Sequence, residues 1–190
     1  MRSDFSDKVW WTKKARIKTE VRLLNLHFYS QFFLLWYSIF LVCYSIYTLV
    51  LPVGTITQTE SATMVALSVL VLVATLFINN MDFKGRALLV KQCYEQLSII
   101  YTKSCVENPD KPRLDSDYQN VLAISENHQE KDFYLAVVDE YNNASDKSKL
   151  SKTPTDKMRC KVNFVKARNV ISILFLFFFP LLTVVLLRIA

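Results

Sequence analysis

The stretch Leu23–Thr59, LLNLHFYSQFFLLWYSIFLVCYSIYTLVLPVGTITQT, contains no Asp, Glu, Lys or Arg over 37 residues. Crossing the hydrocarbon core of a bilayer takes about 20 mostly apolar residues of helix. Pro52 and Gly54 end the apolar run, so it reads as one span, about Phe32 to Val53, followed by a tight turn. Working outward, Ser61–Met81 supplies 21 more uncharged residues and Asn169–Leu187 a further 19. A soluble chain of 190 residues has no core large enough to bury three such helices. The chain is therefore expected to be an all-α integral membrane protein. It would comprise a two-span hairpin, a third C-terminal span, and a cytoplasmic helical region continuing from the second span.

Charge divides the remainder into blocks. Residues 1–27 carry seven Lys and Arg against three acids; residues 82–142 carry seven against eleven; residues 143–168 carry eight against two. The 52–60 hairpin has no Lys or Arg. Because short cytoplasmic flanks collect Lys and Arg, the N-terminus and residues 82–168 are expected inside, and the hairpin and C-terminus outside. The chain is expected to cross the membrane more than once. The predicted divisions are a cytoplasmic amphipathic helix (1–28), a transmembrane hairpin (29–81), a cytoplasmic helical domain (82–142), a basic linker and helix (143–168) and a C-terminal transmembrane segment (169–190). The first apolar stretch is too long for a signal peptide, and no small-residue cleavage site follows it. Cys43, Cys93, Cys105 and Cys160 form no CxxC pattern, so neither a disulfide framework nor zinc is expected.

In the N-terminal segment, Trp10, Ile17, Val21, Leu24 and Phe28 recur at helical spacing. Lys14, Lys18 and Arg22 sit four apart on another face. That basic face suits anionic lipid headgroups; the rival reading is a lever docked on the cytoplasmic domain. Beyond the second span, Ala87, Val90, Tyr94, Leu97 and Tyr101 continue the helical rhythm. One helix is therefore predicted from Ser61 to Ser104, roughly 65 Å long, with Gly85 its weak point. Asn108-Pro109-Asp110-Lys111-Pro112 breaks it. A helix capped by Asp115 or Ser116 follows, with Tyr118, Val121 and Leu122 on its apolar face. After a turn at Glu126-Asn127-His128 comes another helical stripe, Phe133, Tyr134, Val137, Val138 and Tyr141. Asn142–Asp156 reads as a linker, and Lys157–Arg168 as a basic approach to the third span.

Nothing in the pattern supports catalysis. His27 and His128 lack a Cys or carboxylate at dyad or metal-ligand spacing, and two glycines cannot build a phosphate loop. No catalytic residue, metal site or cofactor is predicted, and no direct nucleic-acid binding. The spans carry no ionisable acid or base, unlike most pumps and proton relays. They do carry polar stripes: Gln31, Ser38 and Ser45 in the first, Ser61, Ser68 and Thr75 in the second, with Asn79 one turn on. Residues seven apart stay on one helix face. Such a face serves close helix packing, or lines a pore when several copies share an axis. In the soluble part Glu126, Asn127, His128 and Asp132 are either a hydrogen-bonded corner or a switch surface, His128 titrating near neutrality.

The run Trp11-Thr12-Lys13-Lys14-Ala15-Arg16-Ile17-Lys18-Thr19-Glu20-Val21-Arg22-Leu23, the Tyr- and Ser-rich first span, the short hairpin and the second span together resemble the SLATT domains. These are two-span effector domains of bacterial conflict systems. Tyr118–Phe133, with Glu126-Asn127-His128 and Asp132, is similar to the subgroup found beside reverse transcriptases. The resemblance covers Val9 to about Asp139 and implies a pore-forming or membrane-perturbing effector held inactive until infection is sensed. Its expected partners are the lipid bilayer, further copies of the chain, and a reverse transcriptase or nucleotide-signal partner. The rival roles are a membrane anchor for such a partner and a small channel or transporter subunit.

Overall fold

The computed structural model describes residues 4–52, 54–106 and 109–189. The expected end of the first span at Val53 and the expected break at Asn108 lie outside these. The described residues form helices α1 (Asp4–Val50), α2 (Gln58–Asn80), α3 (Phe83–Ser104), α4 (Lys111–Leu122), α5 (Glu130–Asn143) and α6 (Asp156–Ile189), with one 3₁₀ turn, Lys147–Lys149, and no strand. Three helical stretches among them are long and apolar enough to cross a membrane; α1 and α6 carry two and α2 begins the third.

The expected N-terminal helix and first span are one element. Asp4–Val50 contains neither Gly nor Pro, so nothing interrupts 47 residues of helix, about 70 Å at 1.5 Å per residue. Pro52 and Gly54, the latter at φ +91°, turn the chain. Thr57 then caps α2, its hydroxyl accepting from the Glu60 amide at 3.1 Å.

The single helix expected from Ser61 to Ser104 is interrupted, and not at Gly85. The Met81 and Asp82 amides close the last turn of α2 onto the Ile78 and Asn79 carbonyls at 3.2 and 3.4 Å, and Asp82 adopts φ +40°. Asp tolerates this left-handed region better than most residues. The fourth helix starts earlier than expected: Asp110, not Asp115 or Ser116, is its cap, accepting from the Arg113 amide at 3.3 Å, with Pro112 in the first turn.

The chain divides into two compact units. Unit 1 comprises Met1–Leu26 and Phe83–Lys166; unit 2 comprises His27–Asp82 and Ala167–Ala190. In unit 1, α3 presents Phe83, Ala87, Val90, Cys93, Leu97, Ile100 and Ser104, at three- and four-residue spacing, to the interior. Val9 of α1 and Leu114, Tyr118 and Val121 of α4 complete that core. The buried face of α1 is Val9, Trp11, Ala15, Arg16, Thr19 and Leu23, whereas Val21, Leu24 and Phe28 of the expected apolar face are exposed. Polar partners on α5 and on the turn before it hold Arg16 and Thr19 on this buried face. Unit 2 holds the first span, α2 and the C-terminal half of α6, with most of its apolar side chains on the outside. That is the pattern expected where lipid is the solvent.

Candidate functional site

The residues singled out in the region expected to be cytoplasmic converge on α1. Asp132, in the first turn of α5, is only 2% exposed. Its carboxylate accepts from Thr19 Oγ1 at 3.1 Å, from Arg22 Nε at 3.0 Å and, closing its own helix N-terminus, from the Gln129 amide at 3.0 Å. A buried carboxylate is tolerated only when paired and hydrogen-bonded in this way. Glu126 pairs with Arg86 of α3 and lies 4.0 Å from Arg22 Nη2. One turn back along α1, Lys18 meets Asp139 and Lys14 meets Glu140, each at 2.7 Å. The basic face therefore lies on α5. The expectation that it rests on lipid headgroups gives way to the docked alternative, because α5 carries Asp132, Asp139 and Glu140 at the spacing needed to meet it.

Other elements grip the same two turns. Lys13 donates to Ser98 Oγ on α3 at 2.8 Å. Tyr94 of α3 donates to Glu20; burial first, then this bond and charge, push its phenol up to about 12. Arg16, 1% exposed, donates through Nη1 to Ser125 Oγ at 3.0 Å. Asn127 is exposed, its side-chain oxygen accepting from the His128 amide at 3.0 Å. His128 stands 6.2 Å from the Phe133 ring, its Nδ1 buried without a hydrogen-bond partner. Burial and then the Arg16 charge hold the imidazole below its ordinary pKa, against the pull of Asp132.

The polar stripes of the spans are arranged differently. Ser38, Ser68 and Thr75 donate to carbonyls of the preceding turn, those of Leu34, Val65 and Val71, at 2.7–2.8 Å. Gln31, Ser38, Ser45, Ser68 and Asn79 are exposed and Thr75 half-buried. The structure does not draw the two stripes together; each is a polar line on an outward face of its helix.

Unit 2 contains polar ties that the periodicity did not single out. Trp36 Nε1 donates to the Phe177 carbonyl at 3.1 Å, and its ring stacks on Phe177 with centroids 4.6 Å apart. Tyr37 Oη donates to the Leu176 carbonyl at 3.0 Å. Glu60, 3% exposed, accepts from Tyr44 Oη and lies 3.8 Å from Arg188 Nε. A signal for the last pair was available: Glu60 is the only charged residue between Leu23 and Met81, and Arg188 the only one after Asn169. Among the described residues, no three His, Cys, Asp or Glu side chains are grouped to hold a metal. What this chemistry does is hold helices together at defined points.

The family model for the "SMODS and SLOG-associating 2TM effector domain family 5" matches residues 2–190. No curated protein and no solved structure matches the chain. The match spans α1 to α6, so a chain matched to a family described by two transmembrane segments has three helices able to cross.

Proposed function

The chain belongs to this two-span effector family and is a membrane effector of a conflict system, and we propose that it acts by opening an oligomeric leak through the membrane when its cytoplasmic grip on α1 is released. The observation that carries this reading is the unbroken helix α1. Lys14, Lys18 and Arg22 carry the ion-paired seam to α5, and the same helix continues through the first span to Val50. A displacement of α5 or of the Glu126–Asp132 corner would therefore pass to the span along a continuous hydrogen-bonded rod. Three helices enclose no useful aqueous channel, so several copies must assemble. The outward lines Gln31, Ser38, Ser45 and Ser68, Thr75, Asn79 would then face a shared axis. Bacterial anti-phage defence at the inner membrane, with unit 1 in the cytoplasm, is the setting that fits the family and the Lys and Arg distribution. The trigger would be a partner or nucleotide signal acting on the corner.

The test is membrane potential, followed with a voltage-sensitive dye in bacteria during induced expression and phage challenge. Wild-type chain should depolarise the cells before growth stops, and Ser68→Leu with Thr75→Leu should abolish this while insertion is preserved. Unchanged leakage in that double variant would overturn the pore. Loss of function on replacing cytoplasmic contacts, without any depolarisation, would favour an anchor instead.

A further inference from the structure

The third membrane helix carries a hinge and two fastenings. Pro180 sits inside α6 and is buried. Proline has no amide, so the Leu176 carbonyl four residues earlier loses its helical partner. In an apolar environment that carbonyl must find another donor. The donor is Tyr37 Oη of α1, at 3.0 Å, while the neighbouring Phe177 carbonyl accepts from Trp36 Nε1 at 3.1 Å. The first span thus supplies adjacent donors at the point where α6 is weakest. Eight residues further on, about 12 Å along the helix, Arg188 lies 3.8 Å from Glu60, with its guanidinium over the Tyr47 ring at 5.4 Å. Glu60 is also held by Tyr44. One end of the three-helix unit is thereby closed by a polar cluster drawn from α1, α2 and α6.

We propose that the C-terminal arm of α6, residues 181–189, is a gate that swings on Pro180 and is latched shut by Arg188 on Glu60. The proposal rests on the leak reading above and names the element that opens. The fastenings suit a reversible device. The hinge carbonyls stay satisfied by α1 whether or not the arm is docked, so the arm can leave without exposing backbone at Pro180. The latch is a single ion pair with its guanidinium partly exposed. Uncovering α1 and α2 on this side leaves the two-span hairpin that the family description names.

The test uses the full chain reconstituted in vesicles of phosphatidylethanolamine and phosphatidylglycerol, with a potassium diffusion potential read by dye and insertion matched by protease protection. Arg188→Gln should raise the leak rate by about tenfold or more, the range expected when a charge-assisted contact favouring one of two states is lost. Glu60→Gln should raise it less, because no uncompensated buried charge remains. Exchanging the pair, E60R with R188E, should restore a low leak. Pro180→Ala, which returns to the Leu176 carbonyl a helical amide donor and stiffens the hinge, should suppress the leak of Arg188→Gln. If Arg188→Gln and Glu60→Gln leak like wild type while Ser68→Leu with Thr75→Leu silences the wild-type leak, the gate is overturned and the pore stands. If Pro180→Ala leaves the Arg188→Gln leak undiminished, the hinge is overturned. If no inserted chain leaks at all, gate and pore fall together.

Discussion

Removing the Asp132 carboxylate should loosen α5 from α1 more than any other single change in unit 1. In Asp132→Ala, Arg22, whose side chain is 17% exposed, loses its closest carboxylate. Thr19 loses its acceptor on α5, and the Gln129 amide loses its cap. Breaking one partner of a buried ion pair costs about 3–5 kcal/mol. Asp132→Asn keeps an acceptor for Thr19 and Gln129 and removes the charge, which costs about 1.5–3 kcal/mol. The readout is amide hydrogen exchange of α5 in the full chain held in detergent micelles, where local opening sets the rate. At 1.36 kcal/mol per tenfold, Asp132→Ala should speed α5 exchange by roughly a hundredfold to a few thousandfold. A cycle with Arg22→Ala should show coupling of about 1 kcal/mol or more. Acceleration under about fivefold, or additivity of the two changes within about 0.3 kcal/mol, would refute the claim that this pair holds α5 to α1.

Other outcomes follow from the same contacts. Lys14→Gln and Lys18→Gln should each loosen α5 by about 0.2–1 kcal/mol, as partly exposed pairs do; if these lysines faced lipid, α5 exchange would not change. Leu97→Ala, at a fully buried position of α3, should cost about 2–5 kcal/mol in denaturant unfolding of unit 1. His128 has a folded pKa below its ordinary 6.5, so the unfolded chain takes up the proton first. Stability should be flat above 6.5 and decline as pH falls from there toward the folded pKa. His128→Gln should flatten that slope, and a wild-type slope of opposite sign would contradict the burial of the imidazole beside Arg16.

The three apolar stretches were legible because lipid-facing helices announce themselves by the absence of charge. The helical class of the rest was legible from its three- and four-residue rhythm, as with Ala87, Val90 and Leu97. The face by which α1 packs was not. Arg16 and Thr19 are buried where Ser125 and Asp132 meet them, and a hydropathy pattern assigns such residues outward. Interruption at Asp82 rather than Gly85 depended on a left-handed Asp, which composition does not distinguish from an ordinary helix end. Glu126, His128 and Asp132 stood out as unusual; the tie of Glu126 and Asp132 to Arg22 needed the fold to bring together residues as much as 110 positions apart, Arg22 and Asp132 within 3.0 Å. The Trp36 and Tyr37 bonds were half legible. Pro180 demands a donor from a neighbour, but which neighbour supplies it is a matter of helix register.

The account stands on the claim that the seam between α1 and α5 restrains a leak in the membrane. The most direct measurement is dye-reported membrane potential in bacteria expressing, at matched inserted amounts, the wild-type chain, Arg22→Gln, and Arg22→Gln combined with Ser68→Leu and Thr75→Leu. The account predicts earlier and deeper depolarisation with Arg22→Gln than with wild type, and none with the triple variant. Equal potentials in cells expressing wild type and Arg22→Gln, or depolarisation that survives the two leucines, would contradict it.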